Sequence, residues 1–291
     1  HTNSAALSTT SAVTNTQRGL STSLTRLGTG YRINSAMDDA AGLQIATRLD
    51  AQTRGMSVAM RNTQNGISMM QTAEGAFDEV TNILLRMKDL ATEASNGSAT
   101  ADDKTAMQAE YDALGSELKN IVSNTSFGGE KLFGTGTSTA SMSVSKFSAT
   151  GGVTFQIGAA SSETMLVNIS TAANSLTADS GSLGLISSTY DSTAGAGSVG
   201  TELTSSPNAT IALIDTAIKD VSTVRSALGA ASNRLDHVYN NLSNMSTNTA
   251  AAKSRITDVD YASETANMTS KQLLLQAGTS MLKQSSSMSQ L

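Results

Sequence analysis

The sequence predicts a mainly α protein: an elongated antiparallel coiled coil or helical bundle formed by N- and C-terminal segments, with a small β-hairpin region in the middle. Three observations point there. Apolar residues recur at alternating steps of three and four over long stretches toward both ends of the chain. Small and polar side chains dominate, with a single proline and 3% aromatics in 291 residues. Between about Gly134 and Ser206 the helical period disappears, and two β-branched runs stand close together.

Composition excludes much chemistry. At 29.9 kDa the chain is long for one compact domain and short for three. Without cysteine it can form no disulfide and no thiolate metal site. Two histidines and no tryptophan leave little for imidazole catalysis or a His-rich metal cluster. A net charge of −5 and a pI near 5.0 argue against a protein that tracks nucleic-acid phosphates. The N-terminal run HTNSAALSTTSAVTNTQ has no basic cluster followed by an apolar core, so it does not read as a secretory signal. No run approaches the roughly 18 apolar residues of a membrane helix.

In the first helical zone Ile45, Leu49, Met56, Met60, Ile67, Met70, Phe77, Val80, Leu84 and Met87 share one face of a helix expected from about Leu43 to Ala94. At ~1.5 Å per residue it would run on the order of 80 Å. Asn96-Gly97 is expected to end it, with Gly97 in the left-handed cap conformation. A second helix is expected from about Asp102, taken as its N-cap, to Asn124, striped by Met107, Tyr111, Leu114, Leu118 and Ile121. The short link between the two implies an antiparallel hairpin.

The C-terminal zone carries the most regular pattern. Leu228, Ala231, Leu235, Val238, Leu242, Met245, Thr249, Ala252, Ile256 and Val259 alternate steps of three and four, the 3.5-residue repeat of a coiled-coil seam. Ile214, Ile218 and Val221 extend it back to a start near Pro207, where proline is tolerated in the first turn. Such narrow stripes need covering neighbours. An intramolecular bundle and a filament protomer use the same pattern, and both stay open at this point.

In the middle, Val153–Ile157 and Met165–Ile169 flank a turn-prone run and read as a β-hairpin. The Gly/Ser/Thr-rich stretch from Thr177 to Ser206 reads mostly as surface loop. Residues 1–30 and 262–291 have helical spacing, with Leu7, Leu20, Leu24 and Leu27 at one end and Leu273, Leu274, Leu275, Met281 and Leu282 at the other. Diluted with Ser, Thr and Gln, they are marginal alone and need a partner to cover their leucines.

No catalytic constellation assembles. Gly195–Gly200 matches G-x-G-x-x-G but neither follows a buried strand nor opens a helix, so it is not a dinucleotide fingerprint. Asp38 and Asp39 stand where the long helix begins and complement its dipole. Asp258 and Asp260 read as solvated or paired with Arg255, and His237 as bordering the seam. The chain therefore reads as a non-enzyme without cofactor or metal.

Particular stretches are recognisable. RLGTGYRINSAMDDAAGLQIATRL (Arg26 to Leu49) and MRNTQNGISMMQTAEGAFDEV (Met60 to Val80) resemble the N-terminal signature of bacterial flagellins. AAKSRITDVDYASETANMTSKQLLLQAGTSMLKQ (Ala251 to Gln284) is similar to the family's C-terminal signature, and FQIGAASSETMLVNI resembles a β-element between its helical arms. The resemblance implies a structural subunit that polymerises into the flagellar filament for motility. It implies an inner terminal layer from 1–40 with 253–291 and an outer helical bundle from 41–133 with 207–252. Residues 134–206 then hold the hairpin and a Ser/Gly-rich loop, with the variable outer domain reduced or absent.

The same resemblance implies export unfolded through the flagellar type III system to a secreted, cell-surface filament. The implied partners are copies of itself, other flagellins, an export chaperone, and cap and hook-associated proteins, with no nucleic acid and no membrane insertion. It also implies contact with the flagellin-sensing Toll-like receptor of animals through Arg86, Leu90 and Glu117. Gly28 and Gly30 are candidates for a joint between the layers. Family members usually begin a few residues before His1 and continue past SSSMSQL into a short Leu-rich tail, so closure of the inner layer depends on those ends. Two alternative functions remain: a hook-associated junction protein, and a surface adhesin on the same scaffold.

Overall fold

The computed structural model describes residues 3–135, 145–191 and 200–289. In chain order the elements are α1 (Ser4–Thr29), α2 (Ala40–Ala94), α3 (Ala101–Asn124), β1 (Ser126–Phe127), β2 (Glu130–Lys131), β3 (Val153–Gln156), β4 (Thr164–Val167), α4 (Ser170–Thr177), α5 (Ser182–Ile186), α6 (Pro207–Thr257) and α7 (Tyr261–Ser289). The mainly α class is as expected, and so are the long helices near both ends and the central hairpin. The chain divides into two compact units, His1–Gly55 with Asn244–Leu291, and Met56–Ser243.

The first unit pairs α1 with α7. Asn3 Nδ2 donates to the Ser285 carbonyl at 3.0 Å, and Arg26 lies 3.8 Å from Glu264, so numbering rises on one helix as it falls on the other. The pair is antiparallel. Asn3 also caps α1, its Oδ1 accepting from the Ala6 N–H. Gly30 closes the helix at φ +78, a left-handed conformation that costs glycine nothing sterically. Beyond it, Tyr31 and Asp258 form an antiparallel bridge, with Val259 N donating to the Gly30 carbonyl at 3.0 Å. Val259 therefore lies outside the C-terminal helix, not on its seam: α6 stops at Thr257, and the Val259 N–H bonds across to the other connection. Asp39 Oδ1 accepts from Gly42 N at 2.9 Å and so caps α2. Asp260 does the same for α7, accepting from Ala262 N and Ser263 N.

The second unit is a helical bundle with a true core. On α2 the buried positions Met70, Ala73, Phe77, Val80, Leu84, Met87, Ala91 and Ala94 alternate steps of three and four. On α6 so do Ile214, Ala217, Val221, Val224, Leu228, Ala231 and Leu235. Arg225 contacts Glu74 and Lys88 contacts Asp215, at 2.9 and 2.7 Å, which sets α2 and α6 antiparallel. Helix α3 adds Tyr111, Leu118 and Val122 to the same core. Its N-cap is Thr100, not Asp102: Thr100 and Asp103 form a capping box, and Asp102 falls in the first turn. Nor is Gly97 left-handed; α2 ends with Ser95 N and Asn96 N bonding back to Ala91 and Glu93.

The hairpin pairs Val153 with Val167 and Phe155 with Met165. A smaller one, β1–β2, turns on Gly128 and Gly129, both at positive φ, as a two-residue hairpin requires. The stretch read as loop is the main correction. It contains α5 and buries Leu183, Ile186, Tyr190 and Leu203. Its small side chains sit directly on α3: a Cβ on Gly115 would stand 2.0 Å from Ser187 Oγ and 2.2 Å from Thr189 Oγ1. The composition that suggests a loop is here a condition of close packing. Residues 192–199, most of the G-x-G-x-x-G match, lie outside the described residues.

Candidate assembly surface

Among the described residues no group of three or more His, Cys, Asp or Glu side chains is placed to hold a metal ion. No described helix is long and apolar enough to cross a membrane. The chemistry on display is that of surfaces.

The first unit leaves large apolar side chains in water. On α1, Leu7 and Leu24 are 59% and 52% exposed; on α7, Leu273, Leu274 and Met281 are 61%, 51% and 63% exposed. The only buried residue of α1 is Ser23. The threonines between them are already satisfied. Thr9, Thr10, Thr14, Thr16, Thr22, Thr25 and Thr29 each donate to the carbonyl one turn back. A helix with its hydroxyls bonded to its own backbone can be covered by a neighbour without stranding a polar group. Its leucines gain from that cover, at ~25 cal/mol per Å² of apolar area.

Of the two joint candidates, Gly28 lies inside α1 with nothing within 4 Å of an added Cβ. Gly30 holds the positive-φ cap, and its Cβ would stand 2.7 Å from the Tyr261 hydroxyl.

In the second unit, Arg86 projects from α2 and donates to both carboxylate oxygens of Glu110, at 2.9 and 3.0 Å. Glu110, reinforced by Asp89 and Glu93, holds the guanidinium pKa above its ordinary value. Glu117 is exposed on α3, two turns beyond Glu110, and Leu90 is buried at 2% exposure. The structure thus brings Arg86 to Glu110, a partner the sequence reading missed. The seven-residue spacing from Glu110 to Glu117, which keeps both on one face of α3, is the signal that could have found it.

A buried polar node ties the 182–206 region to α3. Gln108 Nε2 donates to Glu202 at 2.6 Å and to Asp112 at 2.8 Å, while its Oε1 accepts from Leu203 N at 2.7 Å. Burial raises the Asp112 pKa, the Gln108 hydrogen bond opposes that, and the Glu202 charge adds to it. Tyr111 donates to the Ile186 carbonyl and Tyr190 to the Thr177 carbonyl, and burial pushes both phenols far above their ordinary pKa. These are fastenings of the fold.

Comparison with known proteins bears on what the exposed helices are for. Residues 1–139 match the bacterial flagellin N-terminal helical region and residues 211–291 the C-terminal helical region. Flagellin B of Vibrio anguillarum is 34% identical over 371 residues, covering 97% of this chain and 95% of that protein. The chain belongs to the bacterial flagellins. Polar flagellin F of Vibrio parahaemolyticus is also similar, 36% identical over 98% of this chain and 95% of that one. A crystal structure of Bacillus cereus flagellin matches with a TM-score of 0.47 and 31% identity, covering 66% of this chain and 94% of that one. This flagellin is a structural subunit of the flagellar filament, built of copies of itself; the junction and adhesin readings are not favoured.

Proposed function

We propose that this flagellin enters the filament by ordering its terminal helices against those of neighbouring copies. The observation that carries the reading is the row of exposed leucines on α1 and α7, set among threonines that need no further hydrogen bond. Ordering backbone costs about 1–2 kcal/mol per residue. A lone α1–α7 pair with no apolar core of its own offsets this poorly, so neighbours supply the missing burial.

In this reading residues 1–40 and 253–291 form the inner layer and 41–133 with 207–252 the outer one. The 134–206 region stands where larger relatives carry outer domains. In support, the alignment with the Vibrio anguillarum protein runs over 371 residues against 291 in this chain. The chain travels unfolded through the flagellar export system, handed over by a chaperone, and is secreted to join the filament beyond the hook-associated proteins and beneath the cap. Co-assembly with other flagellins uses the same helices.

For recognition by the Toll-like receptor, the reading takes the exposed Arg86 and Glu117 as contacts and Leu90 as the packing beneath them. Replacing Arg86 and Glu117 with Ala is expected to abolish receptor signalling and leave the circular dichroism spectrum intact; unchanged signalling rejects the site. For assembly, the triple variant Leu7→Ser, Leu273→Ser, Leu274→Ser is expected to lose filaments by negative-stain microscopy while keeping the helix content of the second unit. Normal tubes from that variant would refute the reading.

A further inference from the structure

Met37, in the connection between α1 and α2, is 96% exposed, the most exposed large apolar side chain among the described residues. It is held out, not loose. Asp38 Oδ2 accepts from Asn34 N and Ser35 N at 2.9 and 3.1 Å, and Asp38 N donates back to the Ser35 carbonyl. Immediately after it, Asp39 caps α2 and meets Arg32 at 3.5 Å. A tied turn thus presents one flexible, polarisable side chain, the kind that adapts to an irregular apolar recess.

The same unit has an open recess with a mixed apolar and polar lining. A cavity of about 320 Å³ is lined by Tyr31, Ile33, Leu43, Ala46, Thr47 and Lys253, among others. Its volume is ample for one methionine side chain, and Met37 of the same copy, being in water, does not fill it. The charges match as well. Arg32 neutralises Asp39, while Asp38 has backbone N–H groups as its partners, so the knob carries a surplus negative charge. At the cavity, Asp50 is met by both Lys253 at 2.8 Å and Arg54 at 3.1 Å, a surplus positive charge.

We propose that Met37 of one copy seats in the Ile33–Leu43–Ala46 cavity of a second copy, with Asp38 facing its Lys253 and Arg54. Arranged head to tail, each copy fills one neighbour and is filled by another, as an open-ended polymer requires. The inference rests on the assembly reading above and adds to it a specific contact.

The chain has no cysteine, which makes the test direct. Full-length protein carrying Met37→Cys and Thr47→Cys is assembled onto sheared filament seeds and mildly oxidised. A ladder of covalent multimers in the pelleted filaments, absent from either single variant, is the expected result. Pelleted filaments that yield only monomer, or an internal disulfide within one copy, overturn the contact and leave the assembly reading standing. As a second measurement, Met37→Asp is expected to raise the critical concentration for assembly about tenfold and Met37→Leu to leave it within about twofold. Equal values for the two variants overturn the proposal. Parent protein that forms no tubes at all removes the assembly reading and this contact with it.

Discussion

The Tyr261 hydroxyl at the start of α7 occupies the space beside Gly30 at the end of α1, 2.7 Å from where a Cβ would be. Gly30 also holds φ +78, so any side chain there meets both a backbone penalty and a collision. Gly30→Ala is expected to cost roughly 1–2 kcal/mol from the backbone alone. Gly28→Ala, in open helix, is expected to gain about 0.5–1 kcal/mol. Thermal melts followed at 222 nm should separate the two by opposite signs. A Gly30→Ala protein as stable as the parent would mean that the cap does not hold its conformation.

The two units should answer core truncation differently. Phe77 is 1% exposed and meets Phe133 edge-on at a centroid distance of 4.7 Å. Phe77→Ala is expected to cost about 3–5 kcal/mol in the unassembled protein, by denaturant melts. Leu7→Ala, at 59% exposure, should stay within about 0.5 kcal/mol in the same assay. Comparable losses at both sites would contradict the division into a cored unit and an uncovered one.

What the sequence made legible follows from periodicity. The long helices α2 and α6 came out within a few residues of their bounds, because alternating steps of three and four admit no other reading. Burial on that face then fades after Leu242, and Met245 is already 38% exposed, which a repeat pattern cannot foretell. The face of α2 runs through Ala46 at 3%, not Ile45 at 39%, a shift of one position that spacing alone does not resolve. Tertiary contact decided the rest. Leu183, Ile186 and Tyr190 are buried where Gly115 leaves room on α3 for the Ser187 and Thr189 side chains, and such small residues look like loop in one dimension. Arg86 is named from its motif; the seven-residue spacing puts Glu110 and Glu117 on one face of α3, but only the packing of α2 on α3 shows that Glu110 is the one it meets.

Acidification should relieve the cost of the Asp112 charge. Burial raises the Asp112 pKa in the folded chain above its unfolded value. Between those two values the folded protein holds a proton that the unfolded chain releases, so this site's contribution falls as pH rises through that window. Above it Asp112 is a fixed cost. Asp112→Asn keeps an oxygen for Gln108 to donate to and removes the charge. It is expected to raise the melting midpoint at pH 7 and to flatten its change between pH 7 and mild acid. A midpoint lowered equally at both pH values would assign Asp112 no titrating role.

The Arg86–Glu110 pair is half exposed, at 50% and 46% for the two side chains. Its bidentate geometry orients the guanidinium more than it stabilises the bundle. Glu110→Gln is expected to change stability by less than ~1 kcal/mol, with the difference vanishing in high salt. A loss of several kcal/mol would show that the pair fastens α2 to α3.

Hydrogen exchange on the free and the polymerised protein tests the central claim most directly, that α1 and α7 are completed by other copies. Amides of Ser4–Thr29 and Tyr261–Ser289 should exchange quickly in the free subunit and become protected in filaments, while those of the Met70–Ala94 core change little. Terminal helices equally protected in both states would contradict the account.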